Sequence, residues 1–101
     1  MQTNQNLSLK NQLLAFLKFS AGKDTLDSTL KLLLTPEEYS QLCKRLEIIK
    51  LLLKGIPQRE ISQKLKVGIA TVTRGAREIQ RGKAKVAMKF FKTKGQEYWR
   101  S

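Results

Sequence analysis

The stretch of sequence that decides the fold is QREISQKLKVGIATVTRG, residues 58–75. Ile61 and Leu65 lie four residues apart and would share the inner face of a first short helix. Gly68 follows, where the chain can adopt turn conformations that other residues resist. A second helix would then run to about residue 80. Two short helices joined by a glycine-containing turn are typical of the helix-turn-helix, which places its second helix in the major groove of DNA.

An ordinary helical protein can contain the same pattern, and the distribution of charge separates the two cases. Residues 1–53 carry seven Lys or Arg and five Asp or Glu, whereas residues 54–101 carry thirteen and three. A solvated surface needs no such bias. A DNA-binding surface does, because cations that neutralise phosphates release condensed counterions. The sequence therefore predicts binding to double-stranded DNA, with a basic adaptor for protein or RNA as the alternative from another class.

Length and composition limit the remaining possibilities. At 101 residues, the chain is expected to form a single domain over residues 1–101. Its apolar fraction of 41% suits a folded chain, and it has no apolar run long enough to span a membrane. The first six residues lack the basic flank and apolar core of a signal peptide, and Cys43 is the only cysteine. These features predict a cytoplasmic protein with no membrane partner.

Nothing in the sequence indicates an enzyme or a metal site. The chain has no histidine, the usual residue for acid–base catalysis and a common metal ligand. It has no glycine-rich phosphate loop, and the adjacent carboxylates of Glu37 and Glu38 would not converge on one site. We therefore expect no catalytic residue, no metal and no cofactor.

Helical periodicity and helix boundary signals run along the whole chain and predict an all-α fold of about six helices. Residues 1–6 are polar and expected to be loose. The predicted elements are a helix from about Leu7 to Gly22, a helix from a cap at Asp24 to Leu34, a helix from the capping box Thr35-Pro36-Glu37-Glu38 to Lys54 with Gly55 as its stop, the helix-turn-helix over residues 57–80, and a basic segment over residues 81–101.

The predicted third helix is apolar around much of its circumference. Leu42, Leu46, Ile49 and Leu53 follow one face, and Ile48, Leu51 and Leu52 widen that stripe. A helix that is apolar on most sides needs partners on most sides. In so short a chain, a second subunit is the simplest supplier, so we expect a homodimer.

Four blocks of the sequence together resemble the Trp repressor family. They are LLLTPEE at residues 32–38, Arg45, QRE at residues 58–60 and GIATVTRG at residues 68–75. The resemblance implies an intertwined helical homodimer that represses transcription. Each subunit would read half of a palindromic operator. L-tryptophan would bind as corepressor between the reading unit and the dimer core and set the spacing of the two reading heads.

The resemblance also assigns a set of ligand-binding residues. By the family's pattern, Arg45 and Arg74 would enclose the indole ring, and Arg74 would also meet the carboxylate. Thr35 and Thr71 would line the pocket. Gly75 would allow a close approach to the backbone, with tight helix packing as the alternative reason for a glycine there.

The ammonium group of the ligand has a less regular environment in this chain. The main-chain carbonyls of Leu32 and Leu34, contributed by the other subunit, would accept hydrogen bonds from it. Glu78 stands where the family usually has serine, and its carboxylate could pair with the ammonium or repel the ligand's carboxylate. The link Gly55–Gln58 is also one residue shorter than in better-known members. These departures leave open a regulator of the same fold that binds DNA without an effector.

A second set of residues is predicted to contact DNA. By the family's pattern, Ile69, Ala70 and Thr73 would face base edges, and Arg59 would reach a base edge or a phosphate. Ser62 belongs to the same surface, at a position where the family often has lysine. Lysine and arginine near the motif would contact phosphates, which position the protein without reading sequence. These last residues are Lys64, Lys66 and Arg77.

Overall fold

The computed structural model describes residues 3–100, with side chains from residue 5 onward, as an all-α protein. The helices within these residues are α1 (Thr3–Gly22), α2 (Leu26–Leu33), α3 (Pro36–Leu53), α4 (Gln58–Leu65), α5 (Ile69–Gln80), α6 (Lys85–Lys92) and α7 (Gln96–Arg100). The predicted all-α class is confirmed. The prediction of about six helices misses a break in the basic C-terminal segment, which forms both α6 and α7.

The residues group into two compact units. The first unit extends to Ser40 and the second begins at Gln41. The prediction of a single domain remains a prediction. No helix in the described part of the chain is long and apolar enough to cross a membrane.

In the first unit, α1 and α2 are joined by a turn that contains Asp24. This residue has a left-handed backbone, with φ +57°, so the prediction that Asp24 caps α2 is wrong. Aspartate tolerates this conformation because its short polar side chain can hydrogen-bond locally. Thr25 stands at the N-cap position instead, and its hydroxyl donates to the carbonyl of Ser20 at 3.1 Å. The start of α1 at Thr3 also corrects the expectation of a loose segment for residues 3–6, while residues 1 and 2 lie outside the described residues.

The predicted capping box at the start of α3 is confirmed. The backbone N–H of Glu38 donates to Oγ1 of Thr35 at 3.1 Å, and the N–H of Thr35 donates to Oε1 of Glu38 at 2.9 Å. These reciprocal bonds satisfy two donors that would otherwise lack a partner. Gly55 ends the region of α3 as predicted, with φ +84°, a conformation that glycine adopts without the steric penalty of a side chain.

The second unit has a hydrophobic core in which α3 supports the helix-turn-helix. Ile48 and Leu51 of α3 pack with Ile61 of α4 and Val72 of α5, all nearly inaccessible to solvent. Each such side chain contributes about 1.5–3 kcal/mol on burial. Leu52, Ile56, Leu65 and Val67 are partly buried around these four residues. The core therefore fixes α4 and α5 against one face of α3.

The C-terminal segment is also held on α3. Lys50 is 3% exposed, and its Nζ donates to the carbonyl of Tyr98 at 2.8 Å and pairs with Oε1 of Glu47 at 3.0 Å. Nζ of Lys54 donates to the carbonyl of Trp99 at 2.7 Å. Cations at the carbonyl end of a helix satisfy its free acceptors and interact favourably with its dipole. One face of α3 therefore anchors α7.

Candidate functional site

The turn between α4 and α5 obtains its shape from Lys66 rather than from Gly68. Lys66 has a left-handed backbone, with φ +56° and ψ +47°, whereas Gly68 has an extended one, with φ −65° and ψ 146°. The expectation that Gly68 supplies the unusual turn conformation is therefore wrong. Gly68 instead precedes α5, where its carbonyl accepts from the N–H groups of Thr71 and Val72 at 3.1 and 3.4 Å.

Ser62, predicted to belong to the DNA-contacting surface, closes this turn. Its hydroxyl donates to the carbonyl of Val67 at 2.6 Å. Its own carbonyl accepts from the N–H groups of Lys66 and Val67. The side chain is half-buried and its proton is used within the protein. Ser62 thus connects α4 to the turn that leads into α5.

The predicted DNA-contacting residues of α5 share one side of the helix. Ile69, Ala70, Thr73 and Arg77 fall within one 100° sector, given 100° per residue. Three of them are exposed, and Thr73 is half-buried. The hydroxyl of Thr73 donates to Oε1 of Gln58 at 2.7 Å, which ties α5 to the start of α4. Its oxygen still has acceptor capacity for another donor.

The predicted cationic contacts lie on the surface of the same motif. Arg59 and Lys64 are exposed on α4, and Lys66 is exposed in the turn. Within the described residues, none of these three cations is paired with a carboxylate. Their charge is therefore available to an anionic partner.

A cavity of about 230 Å³ lies between α3 and α5. Its lining consists of Arg45, Ile48 and Ile49 from α3, and Thr71, Arg74, Gly75 and Glu78 from α5. All the ligand-binding residues predicted from the second unit thus come together. The others, Leu32, Leu34 and Thr35, belong to the first unit, where Thr35 caps α3.

The isoleucines of this cavity were not among the predicted site residues. Ile48 and Ile49 lie three and four positions after Arg45, so helical geometry places all three on one side of α3. This spacing was visible in the sequence, but the two isoleucines were interpreted there only as part of the apolar stripe of the third helix. They give the cavity an apolar wall.

Gly75 allows close packing of the two helices that form the cavity. A Cβ atom at this position would lie 3.3 Å from both Cγ2 of Ile48 and Cδ1 of Leu52. That separation is shorter than ordinary carbon–carbon contacts of about 3.5–4.0 Å. Tight helix packing, the alternative explanation for this glycine, is therefore present, and the same glycine also lines the cavity.

Glu78 lines the cavity, and its negative charge is already paired with two cations of the protein. Oε1 lies 3.1 Å from Nζ of Lys83, and Oε2 lies 3.0 Å from a guanidinium nitrogen of Arg81. The hydrogen bond from Lys83 is the main cause that holds the pKa of the Glu78 carboxyl below its usual range, with a smaller contribution from Arg81. By contrast, Arg45 and Arg74 form no ion pair within the described part of the chain. The cavity therefore favours a ligand that carries an anionic group.

Comparison with known proteins agrees with this arrangement. The sequence model of the family described as "Trp repressor protein" matches residues 8–94. A Trp operon repressor homolog from Vibrio vulnificus (strain YJ016) is 44% identical over 70 residues, which are 68% of this chain and 69% of that protein. A homolog of the same description from Haemophilus influenzae (strain PittEE) is 38% identical over 81 residues, 79% of this chain and 80% of that protein.

Proposed function

Because the chain belongs to the Trp repressor family, we propose that this DNA-binding transcriptional repressor acts as a homodimer on a palindromic operator, with L-tryptophan as its corepressor. The cavity between α3 and α5 is the observation that carries the proposal. The helix whose outer side would read DNA is the one that lines the cavity through Thr71, Arg74 and Gly75. A ligand bound there would touch the reading helix directly.

The chemistry of the cavity suits an aromatic amino acid. A planar guanidinium stacks well on an aromatic ring, and it also binds a carboxylate through paired hydrogen bonds. Arg45 and Arg74 offer both interactions from opposite helices, and Ile48 and Ile49 supply apolar contact for a ring. L-tryptophan combines an indole ring with a carboxylate, so one molecule would use each of these groups.

Gating of DNA binding follows from the position of the cavity. A ligand can shift a protein between two arrangements only if it binds one of them more tightly. A molecule held between the guanidinium groups of Arg45 and Arg74 would favour one angle of α5 relative to α3. The corepressor would then act by stabilising the angle at which the outer side of α5 fits the major groove.

The first unit supports the homodimer. Its buried residues, within the part that the structure describes, are Ser20 and Thr29, both polar. Many of its large hydrophobic side chains are instead exposed, namely Leu7, Leu9, Leu13, Leu14, Phe16, Phe19, Leu26, Leu32 and Leu33. So many exposed apolar side chains favour an interface. A second copy of the chain is the partner we propose for it.

Calorimetric titration of L-tryptophan into the purified protein tests the corepressor. We expect saturable binding near one molecule per subunit, and its loss in Arg74→Ala, because that guanidinium would bind both ring and carboxylate. Arg77→Ala is the matched control, since Arg77 lies on α5 outside the cavity. Equal binding by the parent and Arg74→Ala would contradict the assignment of the site.

Glu78 favours a second candidate, in which the same fold regulates transcription without an effector. Its carboxylate lies in the cavity wall where the ligand's carboxylate would have to approach. Absence of tryptophan binding by the parent, together with binding by Glu78→Ser, would support this candidate.

Selection from a pool of randomised duplexes, with and without L-tryptophan, tests the operator. A two-fold symmetric consensus enriched only with the ligand supports the proposed mechanism. The same consensus without the ligand supports the effector-independent regulator, and the absence of any consensus contradicts both and favours a basic adaptor.

A further inference from the structure

We propose that α6 carries a second contact with DNA, which binds the phosphate backbone without reading sequence. The contact consists of Lys85, Lys89 and Lys92, which we call the lysine face. The inference rests on the proposed function as a DNA-binding protein, and it assigns a role to a segment outside the helix-turn-helix.

The three lysines lie on one side of α6. Their spacings of four and three residues place them within about 60° around the helix axis, at 100° per residue. All three are exposed, whereas Phe91 of the same helix is 3% exposed and faces the protein. Helix α6 is therefore amphipathic, with an aromatic inner side and a cationic outer side.

The charge of the lysine face has no acidic partner among the residues that the structure describes. Glu78 and Glu97 are consecutive acidic residues in the sequence, and the segment between them contains only basic charges. Glu78 pairs with Arg81 and Lys83, but no lysine of the face forms an ion pair among the described residues. A structural or solubilising role does not require three unpaired lysines on the same side of one helix. Binding to an extended anionic partner requires such an arrangement.

The lysine face is held in place before any partner binds. The ring of Phe91 lies 5.9 Å from that of Trp99, and the ring of Phe90 stacks on Tyr98 at 6.3 Å. The N–H of Gly95 donates to the carbonyl of Phe90 at 2.7 Å, which closes the turn between α6 and α7. Ordering a flexible lysine-rich tail would oppose binding, and this packing removes much of that entropic penalty.

The lysine face and the helix-turn-helix share one support. Helix α3 contributes Ile48 and Leu51 to the core that holds α4 and α5. Lys50 of the same helix and Lys54, the residue that follows it, bind the carbonyls of Tyr98 and Trp99 in α7. Both surfaces therefore belong to the second unit and are held by the same helix.

The dimensions and chemistry of the face fit a DNA strand. At a rise of 1.5 Å per residue, Lys85 and Lys92 are separated by about 10 Å along the axis of α6. That is roughly the axial length of three nucleotide steps of about 3.4 Å.

Lysine acts as a point charge toward phosphate. The face carries only ammonium groups, which lack the planar fork that gives arginine its paired hydrogen bonds. Phosphate contacts of this kind add affinity and register without sequence preference.

The test measures the salt dependence of binding to a mixed-sequence duplex of about 30 base pairs, a length that spans several turns of DNA. The test variant is the triple substitution Lys85→Gln, Lys89→Gln and Lys92→Gln, which preserves helix propensity. The slope of log K against log salt is negative, and each lost phosphate contact reduces its magnitude by about 0.9. We expect the magnitude of the slope to decrease by roughly 2–3 for each subunit whose lysine face contacts the duplex. For three contacts, the parent would lose about 40-fold more affinity than the variant between roughly 50 and 200 mM salt.

Two controls separate the face from net charge. Lys10→Gln, Lys18→Gln and Lys44→Gln remove the same charge from exposed positions elsewhere and should change the slope by much less. Replacement of the three lysines of the face by arginine keeps the charge and should keep the slope. An equal decrease in both glutamine triples would overturn the proposal, because it would then reflect net charge alone.

The remaining outcomes distinguish this inference from the proposed function. A parent that binds duplex DNA with the same slope as the glutamine variant overturns the lysine face and leaves the repressor intact. A parent that binds no duplex at all overturns both. A variant that loses affinity for single-stranded RNA but binds the duplex as the parent does assigns the face to RNA and overturns the proposal.

Discussion

Lys66 occupies a backbone region that is favourable for glycine and unfavourable for lysine. Its φ of +56° lets its N–H and that of Val67 reach the carbonyl of Ser62 and end α4. The left-handed conformation costs roughly 1–2 kcal/mol for a residue with a Cβ atom. The protein tolerates this cost at the point where the chain must reverse direction between the two helices of the motif.

Replacement of Lys66 by glycine should therefore stabilise the protein. We expect the free energy of unfolding in Lys66→Gly to rise by about 0.5–1 kcal/mol, because relief of strain exceeds the added entropy of the unfolded chain. Urea denaturation without DNA, at fixed protein concentration, measures the effect. Lys66→Ala removes the same charge but keeps the Cβ atom, so an equal gain in that variant would show that charge rather than backbone strain is responsible.

Single residues also show which features of the cavity the sequence could indicate and which it could not. The spacing of Arg74, Gly75 and Glu78 on one helix could be read from the sequence, and the structure brings them to one cavity. The close contact of Gly75 with Leu52 could not be predicted, because it depends on how two distant helices cross. The same holds for the bond between Thr73 and Gln58, which joins residues on different helices.

At the scale of helices, boundaries were predictable where local chemistry decides them. The Thr35–Glu38 capping box and the glycine after α3 act through neighbours in sequence, and both are as predicted. Asp24 shows the limit of such signals, since the same residue type suits a helix cap and a left-handed turn. The turn between α6 and α7 is closed by the bond from the N–H of Gly95 to the carbonyl of Phe90, and α7 is held by Lys50, a distant contact that periodicity does not reveal.

The capping box makes a prediction for the stability of α3. Thr35→Ala should lower the free energy of unfolding by about 1 kcal/mol, because it leaves the N–H of Glu38 without its acceptor. Chemical denaturation in the absence of ligand measures this loss. Thr35→Ser retains the hydroxyl and should remain close to the parent. If the alanine and serine variants unfold alike, the hydroxyl contributes nothing and the cap is not stabilising α3.

For the whole molecule, the two units differ in how they are stabilised. The second unit has a core formed by Ile48, Leu51, Ile61 and Val72, whereas the described part of the first unit buries only polar residues completely. The hydrophobic effect is the dominant favourable term in folding. The first unit therefore needs apolar contacts in addition to those within α1 and α2.

We expect the protein to be a dimer at micromolar concentration by sedimentation equilibrium, with twice the chain mass of 11.6 kDa. The melting temperature should rise with protein concentration, because association stabilises only the folded chain. Leu13→Asp should weaken the dimer, since Leu13 is an exposed hydrophobic residue of α1. Gln12→Asp is the matched control, as Gln12 is exposed and polar on the same helix. A monomeric parent, or equal weakening in both variants, would contradict the dimer.

The exposed apolar surface of α1 also bears on how a newly made chain reaches its final state. In a dimer of this kind, folding of the first unit waits for a collision between two chains, so its rate falls as the number of copies falls. The second unit has its own core and can form within one chain. A newly synthesised subunit would thus pass through a stage in which the DNA-reading half is folded and the other half is open to chaperones and proteases. The cellular concentration of the protein would then depend on how fast its subunits pair as well as on how fast they are synthesised.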